Sequence, residues 1–258
     1  MKTLVIIPAR SGSKGLKNKN IKLLHGNPLI YYTINEAKKL FPNINIHVST
    51  DSPAIKKIAE EFNLKVPFLR PKKLSDDESN IRDVILYILN YYESKNIFYD
   101  NVLLLQPTSP LRKAIHIKDA LGLYNDKIDM VVSVTKTSSN PYFVLFEENK
   151  DGFLVKSKKG SYIRRQDLPD VWEYNGAIYV IKTKSIINSE IRMPALRTGQ
   201  DYVTWLGLLK IGHNAVLLRE PLTSYRVVSK SISRNKIKKA IQQWKIYISV
   251  ERLSFPSA

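Results

Sequence analysis

Between Pro8 and Asn20 the chain reads Pro-Ala-Arg-Ser-Gly-Ser-Lys-Gly-Leu-Lys-Asn-Lys-Asn, with Gly12 and Gly15 set among the cations Arg10, Lys14 and Lys19. Glycine and serine let a backbone fold tightly enough to point successive N–H groups at one anion, and the cations supply countercharge. A polyphosphate suits that chemistry. The spacing is neither G-x-x-x-x-G-K-[ST] nor G-x-G-x-x-G, so the segment is neither a P-loop nor a dinucleotide turn. Asp51, directly after a strand-like run, reads first as a cap for a helix from Ser52 and second as a group that orients a phosphate-binding lysine. Asp76-Asp77-Glu78 reads as a solvated helix start, because consecutive carboxylates on a loop rarely converge on one ion. His25, His47, His116 and His213 have no ligand spacing.

These residues need elements to hold them. Thr3 to Pro8 is a short continuous apolar run, the pattern of a strand buried on both faces of a parallel sheet. Helical spacing follows over 28–40, a strand over 44–50, and helices over 52–62 and 80–92. Asn101 to Gln106 is the clearest buried strand, and 130–134 and 174–181 carry further strand patterns. This alternation predicts an α/β fold: a mainly parallel sheet with helices on both faces. Ligands in such sheets bind outside the carboxyl ends of the strands, so the loops after Pro8, Thr50 and Gln106 should line one crevice. Residues 138–172 are irregular and rich in charge and aromatics, and read as an excursion from the sheet; 200–210 and 233–252 are helix-like.

Five ordered blocks resemble the N-acylneuraminate cytidylyltransferases, which activate sialic acid and related nonulosonic acids. They are Ile7 to Arg10 with its continuation to Asn20, Ser49-Thr50-Asp51, Leu69-Arg70-Pro71, Leu105 to Arg112, and Arg164 to Pro169 with Asn175 to Tyr179. The resemblance implies a nucleotide-diphospho-sugar transferase-like fold over residues 1–190 and CMP transfer from CTP to a sugar acid, with magnesium required and pyrophosphate released. By position it places Arg10, Lys14 and Lys19 on the triphosphate, with Ser13 beside them. Asn20, Arg70 and Ser79 fall to the cytidine, and Gln106, Arg165 and Asn175 to the sugar. Arg10, Lys14, Lys19 and Arg165 become the catalytic cations. It also implies a homodimer, with the excursion reaching a second subunit, while the absence of cysteine makes the cytoplasm the default compartment.

The family carries two aspartates one residue apart where this chain has Asp201 alone between Glu190 and Glu220. Asp201 is thus the metal-ligand candidate, and impaired activity the expectation. From about residue 196, Arg197 to Tyr202, Tyr225-Arg226 and Ser231 to Lys236 resemble the C-terminal part of inverting nucleotide-sugar glycosyltransferases. A glycosyltransferase is therefore one alternative, although Asn101 to Pro110 lacks an acid pair of the D-x-D kind. The other is a non-catalytic CTP-binding protein whose tail, 191–258, meets a membrane surface or a partner.

Composition bounds all of these readings. The 258 residues include 41 Lys and Arg against 23 Asp and Glu, a formal charge of +18, with 43% apolar residues. Disorder and collagen are excluded, and the absence of cysteine removes thiolate nucleophiles, Cys-ligated zinc and disulfides. The basic excess suits a phosphorylated substrate, an anionic surface or nucleic acid, and the motifs favour the first with no nucleic-acid partner. No apolar run reaches the ~18 residues that a membrane-spanning helix needs.

Overall fold

The computed structural model describes residues 1–12, 16–76, 79–188 and the backbone of 215–218. Ser13, Lys14, Asp77, Glu78, Asp201 and the helices expected over 200–210 and 233–252 lie outside the described residues.

The chain runs β1 (Thr3–Pro8), a small hairpin of β2 (Leu23–Leu24) and β3 (Asn27–Pro28), α1 (Leu29–Lys38), β4 (Ile46–Ser49), α2 (Pro53–Glu61), α3 (Ile81–Glu93) and β5 (Asn101–Leu105). It continues through α4 (Ala114–Leu123), β6 (Met130–Lys136), β7 (Phe146–Glu148), β8 (Leu154–Lys156), β9 (Trp172–Lys182), α5 (Thr183–Asn188) and β10 (Ala215–Leu218). Six strands form one sheet in the order β10-β6-β9-β5-β1-β4. Every neighbouring pair is parallel except the two made by β9, which runs antiparallel between β5 and β6.

Strand alternation divides the core in two. Val5 and Ile7 of β1 and Leu103 and Leu105 of β5 face α1, α2 and α4, meeting Ile30, Ile34, Ile55 and Ile117. Leu4, Ile6, Val102 and Leu104 face the other way, onto Val84, Ile85 and Ile88 of α3 and Ile186 of α5. With both faces covered, continuous apolar runs are what the central strands require. Each such side chain contributes roughly 1.5–3 kcal/mol by leaving water.

Helix starts are set by local chemistry. Ser52 accepts a hydrogen bond from the Ile55 amide (3.3 Å) ahead of Pro53 at the first helical position, and Asn80 accepts from Arg82 N (2.7 Å) to start α3. The carboxyl ends of β1, β4, β5 and β6 share one edge of the sheet, and because β9 is reversed its first residues lie there too. The excursion between β6 and β9 leaves and re-enters at that edge, where Thr137 N donates to Val171 O (3.0 Å). It is not wholly irregular, since β7 and β8 pair antiparallel within it. Among the described residues no helix is long and apolar enough to cross a membrane.

Candidate active site

The loop after β1 is pinned to the loop after β4. Ala9 N donates to Ser49 O (2.8 Å), and Ser11 donates to Asp51 twice, from its amide (2.8 Å) and its hydroxyl (2.6 Å). Asp51 is therefore a loop anchor. The cap expected of it belongs to its neighbour Ser52, because Ser11 takes both carboxylate oxygens. From this anchor Arg10 crosses to the segment before α3, donating to Asp76 O (2.6 Å) and Ser75 O (3.5 Å). Asn20, 3% exposed, donates to Arg10 O (3.0 Å), while its own Oδ1 is buried with no hydrogen-bond donor against it.

Arg70 lies deeper. Its guanidinium donates to Ser49 Oγ (3.0 Å), Ser49 O (2.7 Å) and Leu74 O (3.5 Å), so the side chain is braced against the end of β4. Burial brings its pKa down to about 10, with Asp51 opposing the shift and Arg10 adding to it. Lys19 is also held below the ordinary lysine range, first by burial and then by Arg10. Arg70 remains a cation at neutral pH. Partly desolvated cations form a receptor for a polyanion, whose arrival would favour their charge. Ser79 donates to Asp76 Oδ1 (2.6 Å) at the rim. α3 begins at Ile81 with Asn80 as its cap, beyond Asp76, and the rest of the acidic run lies outside the described residues.

One crevice brings Arg10, Lys19, Asn20, Arg70, Ser79 and Gln106 together, with Asp76 and Thr108 on its wall. Arg165 and Asn175 are not among the residues lining it. Arg165 is exposed on the excursion, in a short turn that Arg164 closes by a fork onto Asp167 (2.8 and 2.9 Å). Asn175 is 5% exposed, and its Oδ1 accepts from Ser133 Oγ (2.7 Å) and Ala177 N (3.0 Å). It clasps the bulge where the pairing of β6 and β9 shifts register. The sequence reading names no side-chain role for Arg112, Thr33 or Ser133. Their buried network carries no periodic signal, and Arg112 enters that reading only as the last letter of a motif.

Among the described residues no three His, Asp or Glu side chains are grouped to hold a metal ion. Magnesium keeps several waters and commonly takes one or two carboxylates plus substrate phosphates, a donor set that a single wall carboxylate such as Asp76 fits.

A family model described as cytidylyltransferase matches residues 4–203, a span that includes Asp201. A CMP-N,N'-diacetyllegionaminic acid synthase from Legionella pneumophila is 37% identical over 192 residues, covering 74% of this chain and 82% of that protein. An N-acylneuraminate cytidylyltransferase from Streptococcus agalactiae serotype V is 38% identical over 195 residues, covering 74% of this chain but 46% of that protein. The structure of a CMP:2-keto-3-deoxy-manno-octonic acid synthetase complexed with CTP superposes with a TM-score of 0.62 at 16% identity, covering 98% of this chain and all of that one. That likeness speaks for the fold. The glycosyltransferase likeness read from about residue 196 stays an expectation of the sequence.

Proposed function

The chain belongs to the cytidylyltransferase family, and from that we propose that it transfers CMP from CTP to a nonulosonic sugar acid. A sugar hydroxyl oxygen bonds to the α-phosphorus, the bond to the bridging oxygen breaks, and pyrophosphate leaves together with the hydroxyl proton. The observation that carries this reading is the crevice itself: Lys19, Arg10 and Arg70 converge at the carboxyl ends of β1 and β4, with Gln106 at the end of β5 beside them.

Charge grows on phosphoryl oxygens in the transition state, and cations already aimed there stabilise it without reorganising. Arg10, with its guanidinium braced on Asp76 O, offers fixed donors, while Lys19 acts as a point charge. Lys14 and Ser13 would extend that cradle. The donorless Oδ1 of Asn20 is an acceptor that the cytosine amino group or a ribose hydroxyl would satisfy. Arg70 and Ser79 complete the nucleotide side; Gln106, Asn175 and Arg165 are the acceptor side. Magnesium would neutralise phosphate charge, held by Asp76 or Asp201.

The same proposal includes a homodimer formed through the excursion. Phe153, Leu154 and Ile163 stand 70%, 70% and 88% exposed there, an apolar cluster that a second copy would cover. In that assembly Arg165 would serve a site other than its own chain's. The relatives named above differ in their sugars, so the acceptor is assigned by class.

The test is pyrophosphate release on mixing the protein with CTP, magnesium and a panel of nonulosonic acids. Release that needs CTP, fails with the other nucleoside triphosphates and is lost in Lys19→Ala is the expected result. CTP binding without release for any acid would leave a nucleotide-binding protein, and comparison with Asp201→Ala measures what the lone aspartate contributes.

A further inference from the structure

Arg112 is the largest fully buried side chain of the described residues, at 2% exposure, and no carboxylate among them lies within ion-pairing distance of it. Its Nη1 donates to Ala177 O (2.7 Å) and Gln106 O (3.1 Å), and its Nη2 to Thr33 Oγ1 (2.7 Å). Its Nε is buried without an acceptor. Burial lowers its pKa to about 9, with Glu36 offsetting part of that, so it is a cation at neutral pH. Desolvating a guanidinium to bond neutral oxygens costs several kcal/mol before any return. An apolar side chain of the same volume would pack here more cheaply, were stability all that the position served.

The groups it holds explain the expense. Gln106 O belongs to the residue on the crevice wall at the end of β5, and Ala177 O to the β9 bulge that contains Asn175. Thr33 lies on the inward face of α1. The helix α1, the end of β5 and the β9 bulge are therefore pinned by one planar group, whose fork fixes their mutual angle as well as their distance. The loop between is closed on the same side chain's own backbone, since Ser109 N donates to Gln106 O (3.4 Å) and Arg112 N to Ser109 O (3.2 Å).

We propose that Arg112 is a positioning residue for the acceptor half of the site, setting Gln106 and the β9 bulge at the spacing that the sugar acid requires. The assignment rests on the cytidylyltransferase reading of the crevice. The nucleotide half does not depend on it, because Arg10 is braced on Asp76, Asn20 on Arg10 and Arg70 on Ser49 and Leu74.

The test compares the full chain with Arg112→Met, Arg112→Lys and Thr33→Val. Removing the fork takes the guanidinium donor from the buried Ala177 carbonyl and leaves Gln106 O with only the longer bond from Ser109 N, so kcat/KM for the sugar acid should fall roughly tenfold or more while CTP affinity changes less than about twofold. Arg112→Lys should recover part of the loss, since an ammonium reaches one or two acceptors without the plane. Amide hydrogen exchange should quicken at 106–112 and 175–178 and stay unchanged in α3. Equal loss for both substrates in a folded variant, or no loss for either, overturns the proposal. Should Arg112→Met not fold, Thr33→Val removes one contact and carries the same expectation at smaller size. Should the wild type release no pyrophosphate with any acid, the functional reading fails on its own, and the exchange pattern still decides whether Arg112 holds the two segments.

Discussion

Lys19 stands where burial and Arg10 disfavour its charge, while a bound triphosphate would favour it. Binding then takes up protons at alkaline pH. CTP affinity should fall as pH climbs through a pKa below the ordinary lysine range, and calorimetric titration between neutral and alkaline pH reads it directly. Lys19→Arg keeps its charge and should flatten the fall; Lys19→Ala should weaken CTP about tenfold or more even at neutral pH, by loss of a charge-assisted contact. An identical pH profile in wild type and Lys19→Arg would remove Lys19 from the phosphate site. His47 titrates in the opposite setting. It is fully buried on β4 with Nδ1 3.2 Å from the Tyr92 hydroxyl and the Phe68 ring tilted against it, and burial, helped by Arg70, lowers its pKa to about 3. The unfolded chain binds a proton near pH 6.5 that the native state refuses until about pH 3. Stability should therefore fall by about 1.4 kcal/mol per pH unit across that window as the solution is acidified. His47→Phe should lose this component in urea titrations at pH 6 and pH 4.

Elements were legible in the sequence in proportion to their periodicity. Thr3–Pro8, Asn101–Leu105 and the α3 stripe are long, apolar and regular, and the structure starts and ends them within a residue or two of the pattern. The α4 helix, with Ile117 and Ala120 buried, is missing from the sequence reading because Pro107 and Pro110 precede it and its apolar face is short. The reversal of β9 has no one-dimensional signature at all: antiparallel and parallel strands buried on two faces share one apolar pattern. The site followed the same rule. Charged residues on loops after strands were legible by position, whereas Arg112, Ser133 and the Asp51 anchor act through contacts between distant segments. Within the excursion, order depends on a close approach. A Cβ at Gly160 would sit 2.8 Å from the Tyr142 ring and 2.9 Å from that of Tyr162, which pack edge to face. Gly160→Ala should separate those rings, quicken hydrogen exchange across 141–162 and leave CTP affinity unchanged. Unaltered exchange there would show that the rings give way without cost.

For the molecule as a whole, the exposed apolar side chains of the excursion set the expected mass in solution. Sedimentation should show a dimer at micromolar concentration, and Phe153→Asp with Leu154→Asp should yield a monomer that still binds CTP. A wild-type monomer at those concentrations would separate the excursion from assembly. The reversed central strand carries one more consequence. Since β9 returns alongside β6, the excursion departs and comes back through neighbouring strand ends joined by the Thr137–Val171 hydrogen bond. Residues 137–171 thus hang from the sheet like a branch from a single fork. Under the proposed function, grafting, shortening or exchanging that branch would alter which copies meet and which acceptors are reached, while the loops after β1 and β4 keep the hydrogen bonds that join them.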